Sequence, residues 1–81
     1  REIESLNLSH NEIKEIPPLP NLSRLKFLDL TGNPIKKLEN LQYLESLLSL
    51  KIDDSRLSVK EKEVLNEGMD QVKYYCRTYK E

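Results

Sequence analysis

The sequence predicts an α/β repeat fold. A short parallel sheet forms one face, 3₁₀ and turn segments form the other, and a helical cap closes the carboxy-terminal end. Three observations carry this. The chain superimposes on itself at a shift of 22 residues. Each copy opens on aliphatics alternating with polar residues, which is the period of a strand. After Ser58 that pattern gives way to a capping box and to apolar steps of three and four, which are helical. The expected boundaries are repeats over 1–57 (3–24, 25–46 and the start of a last one at 47–57) and the cap over 58–81.

The copies are "IESLNLSHNEIKEIPPLPNLSR", "LKFLDLTGNPIKKLENLQYLES" and "LLSLKIDDSRLSVKEKEVLNEG". Ile3, Leu25 and Leu47 share a column. So do Leu6, Leu28 and Leu50, then Leu8, Leu30 and Ile52, then Ile13, Ile35 and Leu57. In x-L-x-L-x both aliphatics face one side, so these leucines point inward. Every copy runs the same way, so the strands stack in parallel about 4.8 Å apart. Asn11 and Asn33 fall where the chain turns off the strand, and Ser55 takes that place in the third copy. An asparagine both donates and accepts, so a stacked pair can satisfy adjacent turns. Serine has less reach, and the ladder is expected to end at Ser55.

The return leg carries an unusual period. In "IKKLENLQYLESLLSL" aliphatics stand at 35, 38, 41, 44, 47 and 50. A step of three smears around an α-helix and alternates faces on a strand, but eclipses in a 3₁₀-helix. A coiled coil needs 3.5 and does not fit. The segment is therefore expected to be 3₁₀-like or turn-rich over 35–46 and extended from Leu47, with a single helical turn allowed in "ENLQYLES". Pro17, Pro18 and Pro20 disfavour a regular helix in the first return leg. The tail opens with Ser58-Val59-Lys60-Glu61, a capping box. Val64, Leu65, Met69, Val72, Cys76 and Tyr79 then form an apolar stripe. Gly68 lies within it and predicts a kink or a break.

These columns resemble the leucine-rich repeat family over roughly residues 3–57. The continuation after each asparagine is similar to the 22-residue subclass of intracellular phosphatase-1 regulators, tubulin cofactors and an axonemal dynein light chain. "EVLNEGMDQVKYYCRTY" resembles the segment that closes the array in Roco-type GTPases and related proteins, with Cys76 where those carry a leucine. The resemblance implies a protein-binding module, with a protein as the partner. The alternatives are the recognition arm of a larger signalling enzyme, such as a Roco-type GTPase, or a structural spacer. The first residue is Arg, and the pattern is already under way at residue 3, so a longer parent chain is expected, with further repeats or another cap ahead of Leu6 and Leu8. Otherwise a monomer is expected.

Thirteen basic and fourteen acidic residues nearly cancel. This argues against nucleic acid and anionic membrane as partners. No apolar stretch reaches 18 residues, and no signal-peptide pattern opens the chain. One cysteine, Cys76, excludes a disulfide framework and fits a reducing, cytoplasmic setting. No phosphate loop, nucleophile elbow or zinc motif is present, and His10 is the sole histidine. An enzyme is not expected, and no catalytic, cofactor or metal residue is assigned. Asp53-Asp54 reads as a solvated pair at a strand end rather than a metal site. The acceptor patterns at Asn7-Leu8-Ser9 and Asn21-Leu22-Ser23 read as chance. Tyr74, Tyr75 and Tyr79 are phosphorylation candidates, although packing explains the last two.

The strand faces opposite the core then carry the functional reading. Ser5, Phe27 and Ser49 form one row, Asn7, Asp29 and Lys51 the next, Ser9, Thr31 and Asp53 a third, and His10, Gly32 and Asp54 a fourth. The expected partner-binding residues are Asn7, Ser9, Phe27, Asp29, Thr31, Lys51 and Asp53. Phe27 is the key residue, because an aromatic left outside the core among polar neighbours has the profile of a binding hot spot.

Overall fold

A computed structural model describes residues 3–19 and 22–78. It contains strands β1 (Ser5–Asn7), β2 (Phe27–Leu30) and β3 (Ser49–Ile52), a 3₁₀ turn over Leu41–Tyr43, and helices α1 (Val59–Asn66) and α2 (Met69–Thr78). The strands form one parallel sheet in the order β1-β2-β3. The register is the 22-residue shift itself: Ser5 pairs with Phe27 and Phe27 with Ser49, while Asn7 pairs with Asp29 and Asp29 with Lys51.

One core fills the space between the sheet and the return legs. It holds Ile16, Leu25, Leu28, Leu30, Ile35, Leu38, Leu41, Leu44 and Leu47, each at most 4% exposed. The aliphatics at steps of three from Ile35 to Leu47 all point inward. Regular 3₁₀ structure is confined to Leu41–Tyr43, and the rest of 35–46 is turn, bend or irregular. Asn40 opens that turn at φ 64°, and its Nδ2 donates to the Ile16 carbonyl at 2.6 Å, tying the second return leg to the first.

Equivalent positions are not equally buried. Leu28 and Leu30 are closed off, whereas Leu6, Leu8, Leu50 and Ile52 are half-buried. Leu25 and Leu47 are buried, while Ile3 is 39% exposed. For the strand leucines the cause is position in the stack: β2 has a strand on each side, and β1 and β3 have one each. A strand at the end of a solenoid lends its side chains only half a neighbourhood.

The asparagine ladder shows the same asymmetry. Asn33 is 2% exposed. Its Oδ1 accepts from the Asn11 and Ile13 amides at 3.0 and 3.1 Å. Its Nδ2 donates to the Leu8 and Leu30 carbonyls, both at 2.9 Å. Asn11 donates to the Leu8 and Ser9 carbonyls of its own turn. Ser55 is exposed, and Asp53 instead reaches back, its Oδ2 accepting from the Gly32 amide at 3.1 Å. His10 and Gly32 occupy one column, and both are left-handed, at φ 59° and 79°. The His10 ring lies over Gly32 so closely that a Cβ there would come within 2.5 Å of Nδ1.

The cap begins as the spacing predicts. Ser58 Oγ accepts from the Glu61 amide, and Glu61 Oε1 accepts from the Ser58 amide at 3.1 Å. Glu61 is nevertheless buried, and its Oε2 accepts from the Leu38 amide at 2.8 Å. One carboxylate thus caps α1 and tethers it to the second return leg. Gly68, at φ 109°, breaks the tail into two helices rather than kinking one. Helix α2 lies against the 3₁₀ turn and against α1. Val64, Val72 and Cys76 are buried, Leu65, Met69 and Tyr75 are half-buried, and Tyr74 is exposed. Tyr79, Pro20 and Asn21, the first residue of the second acceptor pattern, lie outside the described residues. Desolvation by burial pushes the Cys76 thiol above its ordinary pKa, so the nucleophilic thiolate is scarce.

Candidate binding face

The site is the outward face of the three strands. Phe27 is 49% exposed at its centre, with Ser5 and Ser49 as register neighbours. Because serine is short, the ring stands between two low flanks. Ser5, Leu6, Asn7, Phe27, Leu28, Asp29, Ser49 and Lys51 line a shallow depression of about 280 Å³.

One device recurs in the second row. Asn7 Oδ1 accepts from the Ser9 amide at 2.9 Å and from the Ser9 hydroxyl at 2.6 Å. Asp29 Oδ1 accepts from the Thr31 amide at 3.0 Å and from the Thr31 hydroxyl at 2.6 Å. Each side chain is pinned to the turn that follows its strand, so little rotamer freedom is left to lose on binding. The third copy breaks the pattern. Lys51 is exposed and, among the described residues, makes no such bond to its turn, and Asp53 serves Gly32.

The pin also sets the charge. The Thr31 hydroxyl, then its amide, hold the Asp29 carboxyl below the ordinary carboxylate range, with smaller help from the charges of Lys51 and His10. A lowered pKa stabilises the fold above the unfolded-state value, about pH 4. That contribution is lost as pH falls through the lower, folded-state value. Thr31→Val should therefore raise the Asp29 pKa toward the ordinary range in a carboxyl NMR titration. An unmoved titration would mean that the hydroxyl is not the cause.

The structure brings Asn7, Phe27, Asp29 and Lys51 around one depression. The hydroxyls of Ser9 and Thr31 are already donated to Asn7 and Asp29 on the same face, and Asp53 spends one oxygen on Gly32. These three shape the site more than they offer free groups. Among the described residues, no three His, Cys, Asp or Glu side chains cluster as a metal site, and no helix is long and apolar enough to cross a membrane.

A stack of short parallel strands, repeating every 22 residues over an asparagine ladder, defines a repeat protein with one open strand face. The family model for leucine-rich repeats, in two copies, matches residues 1–53. The chain belongs to the leucine-rich repeat family. No curated protein and no solved structure gives a significant match.

Proposed function

We propose that the chain is a non-catalytic module that binds a protein partner on its strand face. Leucine-rich repeat domains generally mediate protein–protein interaction. The observation that carries the reading is Phe27, half exposed at the centre of the sheet while every aliphatic of β2 is buried. Leaving a phenylalanine in water forgoes the burial of a large apolar surface, which a partner can recover. The membership we propose is the 22-residue subclass, supported by the strand register. The setting we propose is intracellular, a reading that the free, buried Cys76 thiol supports.

Phe27→Ala with Asp29→Lys tests the reading. The double change should abolish capture of partners in a pull-down while leaving the circular dichroism unchanged. If the captured proteins persist, the strand face is not the binding surface. Under a spacer reading, no strand-face substitution should alter binding. A second reading, the recognition arm of a Roco-type enzyme, is favoured by the break at Gly68 followed by α2. A phosphate-loop motif in the parent reading frame would test it.

A further inference from the structure

The strand face carries more than an exposed aromatic. We infer that it selects a protein segment presenting an arginine to Asp29 beside an apolar side chain on Phe27. This deepens the binding reading above and rests on it.

Phe27 and Asp29 are two residues apart on one strand, so they face the same side about 6.6 Å apart. Asp29 Oδ1 is spent on Thr31, and Oδ2 accepts no hydrogen bond among the described residues. The carboxylate is ionised, pinned and half open, a preorganised acceptor for a cation. Lys51 is the register neighbour of Asp29 and lies within electrostatic reach of it, but forms no ion pair with it among the described residues. Arginine fits better than lysine. Its planar guanidinium can stack on the Phe27 ring while its donors reach the carboxylate. Lysine offers a compact, strongly hydrated charge.

The neighbouring column sets the orientation. Lys51 opposes a second cation over β3. The complementary segment therefore carries its arginine over β2 and an acidic or neutral residue over β3, about 4.8 Å away. A uniformly anionic partner meets Asp29 and Asp53, and a uniformly cationic one meets Lys51. The surface thus discriminates by repulsion as well as attraction.

The test is selection from a random peptide library displayed on phage, with the whole chain as bait in three forms: unaltered, Asp29→Lys and Lys51→Glu. The unaltered chain should enrich peptides with an arginine next to an apolar residue. Binding of those peptides should fall at least tenfold on Asp29→Asn and on Phe27→Ala. Asp29→Lys should invert the selected charge from basic to acidic. Lys51→Glu leaves the Asp29 pin intact, so it keeps the test decisive if Asp29→Lys does not fold; it should add a second basic position. Peptides that need Phe27 but show the same charge from all baits would overturn the arginine assignment and leave the strand-face reading standing. Peptides indifferent to Phe27→Ala, or no selected peptides at all, would overturn both.

Discussion

Asn33→Ala is expected to cost about 3 kcal/mol or more, and Asn11→Ala only about 1 kcal/mol. The residue type and the repeat column are the same, and the surroundings differ. Removing the Asn33 amide strands the Leu30 carbonyl inside the core and takes the acceptor from the Ile13 and Asn11 amides. A buried group left unsatisfied costs roughly 1–3 kcal/mol, and several are left here. Asn11 is exposed, and its two bonds go to carbonyls of its own turn. One of these, Leu8, keeps Asn33 as a donor. A domain of this length holds on the order of 4–12 kcal/mol in total. The Asn33 change therefore removes a large share of its stability. Urea unfolding followed by circular dichroism measures both. Equal costs would mean that the ladder is not a stabilising link between turns.

That contrast marks where the sequence can and cannot be read. The strand rows were legible because a 22-residue shift sets backbone register directly, and the register places Ser5, Phe27 and Ser49 side by side. Burial was not equally legible. Leu6 and Leu28 look alike in sequence, and only the number of flanking strands separates them. The binding face was legible in its residues but not in its free groups. Ser9 and Thr31 stand among the expected partner-binding residues, yet both hydroxyls are donated to the neighbouring Asn7 and Asp29 side chains, because the chain turns directly after the strand and brings residue i+2 onto the side chain at i. Asp53 read as solvated, and its reach to Gly32 depends on the left-handed turn at that glycine. Glu61 was legible as a cap because that contact spans three residues. Its bond to Leu38 spans 23 and leaves no local signature.

Glu61→Ala should be the second large effect, about 2–4 kcal/mol. It removes the acceptor of the buried Leu38 amide, at roughly 1–3 kcal/mol, together with the cap of α1, at about 1 kcal/mol. Ser58→Ala separates the two. It weakens the cap but leaves the Glu61–Leu38 bond, so it should cost only the smaller amount. Glu61→Gln keeps the shape but has one acceptor oxygen. That oxygen cannot serve both Leu38 and Ser58, so a donor faces a donor at one of them, and the change should recover only part of the loss. The loss should also be local at first. Glu61 is a polar tether between the cap and the second return leg, while β2 is held by its own neighbours. Amides of α1 and α2 should therefore lose hydrogen-exchange protection in Glu61→Ala before those of Phe27–Leu30 do. Equal loss in both segments would show the cap and the repeats opening as one unit, with Val72 and its apolar neighbours rather than Glu61 joining them.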